Sequence, residues 1–423
     1  MKILVIGSGG REHALCRAFN QSERVTKTYC ANGNAGIAEI AECVNIKPDE
    51  IAKLAGFAEQ NEIDLTFVGG ETTLALGIVD EFEKRNLKII GASQKAAQLE
   101  ASKSFAKDFM ARHNIPTAKY KTAASAEEAG QILKSGEFGD ENTPIVVKAD
   151  GLAAGKGVVV AENHEEAERA INELETIVGK EAVEKIVLEE CLIGREISLI
   201  LFADGKDFAL MPPSRDHKRI GEGDTGANTG GMGTITDNSL LNRKQTVEII
   251  EKIIKPTLKG AEQEGFPFRG ILFLGLMMTG EGAKLLEYNV RFGDPETQVI
   301  LVRLKTDLVE ICEAILLQNL SNIKIEWQEG SSACVVLASK DYPNKAQTGD
   351  ILRGLDKAKS IKDINIFHAG TAKNTDKEFT TAGGRVLGVT ATAETLDEAL
   401  QKAYRAVGAI SFDGMQFRRD IGE

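Results

Sequence analysis

The opening residues constrain the fold more than any other part of the chain. Lys2 to Gly7, KILVIG, is a short apolar run that passes through SGG into the helix-periodic REHALCRAFNQ. A buried strand turning through glycines into a helix is the first half of a strand–helix–strand unit. The pattern recurs: DLTFVGG (64–70) predicts a strand, TTLALGIVDEFEKR a helix and LKIIGA (87–92) a strand. Strands alternating with helices in this way predict a doubly wound parallel sheet over the first hundred residues.

The texture then changes. KAAQLEASKSFAKDFMARHNI predicts one long helical stretch ended by Pro116. A small α+β segment is expected over 122–191, with a glycine-rich hairpin, the helix NHEEAERAINELE and the strand KIVLEEC. A larger α+β region follows, with a helix near Thr246 to Gln263 and the strands GILFLGLMM and AKLLEYNVRF. After Trp327 the residues predict a small antiparallel sheet with a C-terminal helix.

Composition limits the partners. The formal charge of −12 argues against nucleic acid and against an anionic membrane, so anions can be held only where Lys and Arg cluster locally. Six cysteines lie far apart without a C-x-x-C pair, which disfavours a zinc site or a disulfide framework and suits a reducing cytosol. The N-terminus has neither the length nor the form of a signal peptide, and no stretch is long enough to span a bilayer.

Five stretches carry candidate chemistry. GSGGREH (Gly7 to His13) follows a strand and opens a helix; it is either a connecting turn or an anion site at the helix start, with Arg11 adding charge. Glu12 replaces the third glycine of a dinucleotide fingerprint and no acid ends the next strand, which disfavours a nicotinamide cofactor. KADGLAAGKGV lacks the spacing and the hydroxyl of a Walker loop. It reads as a hairpin tip that is either solvated or a cover over a triphosphate, with Lys148 facing the phosphates. In LEECLIGREISL, Glu189 and Glu196, with apolar Leu192 between them, are either acceptors for an exocyclic amine and a ribose hydroxyl or ordinary surface carboxylates. In LLEYNVRFGDPETQ, Glu287 and Asn289 leave one face of a strand and Arg291 is expected to continue it. A carboxylate beside an amide oxygen is a hard donor pair that suits Mg²⁺; the alternative is a structural Glu–Arg pair. SRDHKRIGEGDTGANTGGMG (214–233) reads as an active-site loop offering basic groups and backbone donors to anions; the alternative is a disordered surface loop.

The order of these features resembles the ATP-grasp enzymes. Within them, GGREHAL, KADGLAAGKGV, DHKR, GDTGANTGGMG, RFGDPETQ, FHAGT and GGRVL are similar to the glycinamide ribonucleotide synthetase family from end to end. The resemblance implies a Rossmann-like domain at 1–103, an ATP-grasp domain at 104–326 with its lid about 122–191, and a C-terminal α+β domain at 327–423. It implies ATP bound by Lys107, Lys148, Gly151, Gly155, Lys156, Gly157, Glu189, Cys191, Leu192 and Glu196, and Mg²⁺ or Mn²⁺ bound by Glu287 and Asn289. Gly9, Gly10, Arg11, Glu12, Asp216, His217, Lys218, Gly230, Gly231, Arg291 and Asp294 would contact substrate, with Arg291, Lys148 and Asp216 catalytic. The implied reaction joins glycine to 5-phospho-D-ribosylamine through glycyl phosphate. The implied setting is cytoplasmic purine biosynthesis by a monomer, with at most a transient contact to the preceding enzyme. Four positions depart from the family pattern: Gly70, Cys191, Arg215 and Ala227.

Overall fold

The computed structural model describes residues 1–152, 157–179 and 185–423. Its N-terminal part is a parallel sheet in the order Glu42–Val44, Lys27–Asn32, Lys2–Gly7, Leu65–Val68, Ile89–Ile90. Ile3, Leu4, Val5 and Ile6 are wholly buried, as a strand covered on both faces requires. The strand order reverses beside Lys2–Gly7, so Gly7 and Gly69 face the crevice where such sheets take ligands.

Two helices expected as continuous are broken. TTLALGIVDEFEKR divides into Glu71–Ala75 and Ile78–Lys84, because Gly77 takes the left-handed conformation at φ +82°. The stretch before Pro116 divides into Gln94–Ala101 and Lys103–Arg112. Ser102 between them is extended; its Oγ accepts from Phe105 N–H and donates to Asp150. Asp150 also accepts from Ser104 N–H at 2.6 Å, so the acid of the KADG motif caps this second helix.

Residues 120–190 form a four-stranded antiparallel sheet in the order Tyr120–Ala123, Ile186–Glu190, Ile145–Ala149, Val158–Ala161. Helices Ala126–Lys134 and His164–Val178 pack on it around a separate apolar core. The first of these helices was not foreseen. Its signal is Ser125 followed three residues later by Glu128, which exchange hydrogen bonds with the helix start.

The largest sheet runs Gly282–Asn289, Arg269–Thr279, Arg195–Asp204, Ser214–Asp216, Gly233–Thr236, Ser331–Ala338, Arg385–Ala393, Ile364–His368, with Phe208–Leu210 paired to Arg195–Asp204. The C-terminal strands therefore extend this sheet. The short strands Ser214–Asp216 and Gly233–Thr236 are its bridge, and they flank the glycine-rich loop. Among the described residues no helix is long and apolar enough to cross a membrane.

A histidine pair joins the N-terminal helix Gly10–Asn20 to the C-terminal strand Ile364–His368. His13 Nδ1 accepts from His368 N–H at 2.9 Å and the rings lie 5.6 Å apart. Burial, with Lys359 and Arg17 nearby, lowers the His13 pKa to about 4. Burial, with His13, Lys359 and Lys373, lowers that of His368 to about 3. Both folded values lie below the 6.5 expected of the unfolded chain, so the unfolded state binds protons that the folded state refuses. Stability is complete above that pH and falls as pH drops toward 4, by about 2 kcal/mol per imidazole at pH 5. Denaturant unfolding at pH 7 and pH 5 checks this. His13→Asn, whose Oδ1 can keep the acceptor role, should lose less between the two than the unaltered chain; equal losses would remove His13 from the account.

Candidate active site

Two lysines and one carboxylate meet where the four-stranded sheet of residues 120–190, the helix Lys103–Arg112 and the large sheet converge. Lys148, on the strand Ile145–Ala149, and Lys107, on that helix, each lie 2.7 Å from one oxygen of Glu189. All three are buried. Lys107 also donates to Thr117 Oγ1 at 2.8 Å. Burial and the neighbouring Lys148 lower its pKa to about 8. In this arrangement Glu189 is the counter-charge of both lysines. Lys103, which was not foreseen, donates to the Gly151 carbonyl at 3.1 Å and so anchors the entry of the hairpin. Gly155 and Lys156 lie outside the described residues. The Gly157 carbonyl accepts from Ala149 N–H at 2.8 Å and closes the hairpin base.

The strand from Glu189 ends at Glu190, and Cys191 and Leu192 are half-buried before the next strand begins at Arg195. Glu196 accepts from Lys218 at 2.8 Å.

Glu287 and Asn289 leave the same face of Gly282–Asn289, as expected. The strand stops at Asn289, so Arg291 does not continue it. Arg291 lies in the following bend and returns to Asn289 Oδ1 at 3.0 Å, held also by Glu71 at 3.2 Å and Glu100 at 2.7 Å. Burial opposes ionisation of Glu287, yet Lys218, Lys148, Lys103 and Arg291 outweigh it and hold the carboxyl below its ordinary value. Burial raises Glu100 to about 7, although Arg291 pulls the other way. Neither Glu71 nor Glu100 had a sequence signal, because they reach Arg291 only through the fold.

At the crevice of the parallel sheet, Glu12 turns inward and is buried. Its carboxylate accepts from Gly9 N–H and from Arg11 Nε, both at 2.6 Å. A Cβ at Gly7 would lie 2.6 Å from Glu12 Cδ, and one at Gly69 would also collide with this carboxylate. The glycines thus make room for Glu12, which fills the place an anion takes in a dinucleotide site. Arg11 donates to Phe292 O at 3.0 Å, and its N–H to Asp294 at 3.3 Å. A Cβ at Gly10 would meet Gln298 Nε2, the donor to Asp294 Oδ1. Asp294 is held below its ordinary value by Arg385 and Arg11 in spite of burial. Arg385, not foreseen in this role, also donates to the carbonyls of Gly230 and Asp294.

The glycine-rich loop corrects one expectation. The amides of Thr229, Gly230, Gly231 and Met232 donate to Lys218 O, Tyr342 OH, Thr229 Oγ1 and His217 O. They hold the loop's own shape and are not free for an anion. Its basic residues also divide. Arg215 donates to the Glu423 carbonyl and Arg219 to Gly226 O, so of these side chains Lys218 is the one that pairs toward Glu196. Both ring nitrogens of His217 meet backbone, at Gly233 O and Gly422 N–H. Asp216 Oδ1 has no hydrogen-bond partner among the described residues. Burial and the neighbouring Glu296 push the Asp216 carboxyl well above its ordinary value.

Family models for phosphoribosylglycinamide synthetase match nearly the whole chain: the N domain over residues 1–100, the ATP-grasp (A) domain over 101–297 and the C domain over 332–423. A phosphoribosylamine–glycine ligase of Caldanaerobacter subterraneus subsp. tengcongensis is 46% identical over 423 residues, covering 100% of this chain and 99% of that protein. One of Clostridium acetobutylicum is 46% identical over 424 residues, with 100% of both covered. The crystal structure of the phosphoribosylamine–glycine ligase of Thermotoga maritima superposes with a TM-score of 0.82 at 32% identity, covering 100% of each chain.

Proposed function

The chain belongs to the phosphoribosylglycinamide synthetase family of ATP-grasp carbon–nitrogen ligases, and we propose from this that it joins glycine to 5-phospho-D-ribosylamine, forming glycinamide ribonucleotide, ADP and phosphate in purine biosynthesis. The observation that carries the reading is Glu287, kept ionised beside Asn289 while Lys103, Lys148, Lys218 and Arg291 converge on it. Such a mixed cluster is suited to a polyphosphate with its counter-cation.

Glycine's carboxylate is a poor electrophile because it already carries negative charge. In the proposed first step one of its oxygens attacks the ATP γ-phosphorus in line, the bond to the β-phosphate oxygen breaks, and ADP leaves. Lys107 and Lys148 would turn from Glu189 toward the α- and β-phosphates. Arg291, fixed by Glu71 and Glu100, would meet the charge on the transferring group. One carboxylate and one amide oxygen fit a hard cation that keeps water and phosphate oxygens as its other ligands. Glu287 and Asn289 would hold Mg²⁺ or Mn²⁺, which supplies charge neutralisation on the phosphates when bound.

In the second step the ribosylamine nitrogen attacks the acyl carbon of glycyl phosphate. The C–O bond to phosphate breaks and the nitrogen loses a proton. Asp216, whose Oδ1 has no hydrogen-bond partner among the described residues, would receive it in its ionised form. The hairpin at Gly151–Gly157 would cover the intermediate against water. The site at Arg11, Asp294 and Arg385 would take the phosphosugar end. Domains at 1–103, 104–326 with a lid about 122–191, and 327–423 belong to the same reading. So does action as a cytoplasmic monomer that receives the amine, at most, in a transient encounter with its producer.

An ADP-release assay with single-substrate omission tests the function. Sustained release is expected only with glycine and freshly made phosphoribosylamine together. Equal release with bicarbonate or another acid in place of glycine would sink the assignment and point to a different ATP-grasp carboxyl substrate.

A further inference from the structure

The first part of the glycine-rich loop, before Gly230 is held by Tyr342 and Arg385, has no apolar packing to fix its position. Between Ser214–Asp216 and Gly233–Thr236, residues 219–228 are half-buried or exposed and contribute nothing to the apolar core. The two flanking strands have only three and four residues. Yet Asp216 and Lys218, at the root of the loop, must keep their places for the reaction proposed above.

A separate piece of chain supplies the missing restraint. Arg418 is 2% exposed although it lies on no helix or strand. Its guanidinium donates to Arg219 O at 3.2 Å and to Asp224 Oδ1 at 2.6 Å, both on the loop. Two further donors engage both oxygens of Asp420, at 2.8 and 2.6 Å. Asp420 in turn accepts from Gly223 N–H at 2.8 Å, and Glu222 accepts from Arg419 N–H at 3.2 Å. Ile421 is buried against Gly233, where an added Cβ would lie 2.7 Å from Ile421 Cδ1. Gly422 N–H donates to His217 Nε2 at 3.1 Å. The other end of this segment is tied to the C-terminal helix Leu396–Val407, where Tyr404 OH donates to Arg418 O at 3.0 Å and accepts from Ile421 N–H at 3.1 Å.

The histidine geometry identifies its role. Gly233 O can only accept, so His217 Nδ1 carries the proton; Gly422 N–H can only donate, so Nε2 is bare. A ring with both nitrogens bound to backbone is neither an acid nor a base for substrate. It is a strut between the strand end at Gly233 and the segment at Gly422. Burial, with Arg215 and Arg418 alongside, lowers its pKa to about 4 although the Gly233 carbonyl and Asp224 pull the other way, so the neutral form persists at neutral pH.

We propose that residues 418–422 are a strap that positions the substrate loop, with Arg418 and His217 as its positioning residues. The proposal rests on the reading that this loop serves the glycine and ribosylamine side of the reaction. ATP is assigned to Lys107, Lys148, Glu189, the 191–192 connector and Glu196; the strap touches none of them, and the loop reaches them only where Lys218 pairs with Glu196. Loosening the strap should therefore separate the substrates. A displacement on the order of 1 Å can cost about a hundredfold in rate.

The test uses the full chain with Arg418→Ala and, independently, Asp224→Asn, whose side chain is 69% exposed and whose loss should not endanger folding. Both should lower kcat/KM for glycine and for phosphoribosylamine by about ten- to a hundredfold. The Kd for ADP should change far less, by about twofold, because Glu196 alone among its assigned contacts meets the loop, through Lys218. Millimolar guanidinium should restore part of the activity of Arg418→Ala and none of that of Asp224→Asn. Equal weakening of nucleotide and acceptor substrates, or unchanged constants in folded Asp224→Asn, would overturn the strap. If Arg418→Ala fails to fold, Asp224→Asn decides alone. Failure of the unaltered chain to ligate glycine would instead defeat the proposed function, so the two outcomes stay distinct.

Discussion

Glu287→Gln is expected to reduce ligation at least about a thousandfold, roughly 4 kcal/mol of transition-state stabilisation, while leaving a folded chain. The change keeps shape and volume and removes one charge. That charge is the only carboxylate of the Glu287–Asn289 pair and the one on which Lys103, Lys148, Lys218 and Arg291 converge. Without it those cations remain to attract phosphates, so nucleotide should still bind. What should vanish is the tightening of ADP binding by Mg²⁺, which titration calorimetry reads without any turnover. The carboxyl is held below its ordinary 4.5, so its contribution to folding is present above that pH and lost as pH falls through the lower folded value. The glutamine variant should accordingly show a shallower loss of stability in acid. Full activity, or Mg²⁺-dependent ADP binding that survives the substitution, would remove Glu287 from the cation site.

Glu189→Leu should be the most destabilising single change in the nucleotide region, by about 3–5 kcal/mol in denaturant unfolding. The carboxylate is 1% exposed and bridges Lys107 and Lys148 at 2.7 Å each. Leucine would leave two buried ammonium groups facing each other. Lys107, already lowered to about 8, would shed its proton first, which limits the loss. The polyphosphate of ATP can replace the missing anion, so ATP should raise the unfolding midpoint of the variant more than that of the unaltered chain. The double change with Lys107→Met should recover part of the loss, since the second unpaired charge goes with it. A loss below about 1 kcal/mol would mean that the bridge does not hold this region.

Much of the site was legible because its residues sit at fixed offsets on regular elements. Glu287 and Asn289 differ by two positions on a strand, and period-two alternation puts them on one face whatever surrounds the strand. Lys148 was legible for the same reason. Arg291 was only half legible: its residue type pointed to phosphate, but the strand ends two residues earlier and its direction is set by Glu71 and Glu100. Glu12 was legible as a departure from a fingerprint, but that its own side chain fills the crevice was not. The interrupted helices failed at Gly77 and Ser102 because helical periodicity carries across a break when both pieces bury similar faces.

By itself the sequence determined the local elements, the parallel N-terminal sheet, the hairpin and the face shared by the metal-type ligands. These follow from backbone sterics and side-chain periodicity over a few residues. Only the tertiary structure decided which charges neutralise one another: Glu189 between two lysines, Arg385 on Asp294, and Arg418 locking a loop about two hundred positions earlier. It also decided that the C-terminal strands continue the large sheet through the two short strands beside that loop. The physical reason is that a buried charge must find its counter-charge somewhere in the fold. No periodicity along the chain records where that partner will be.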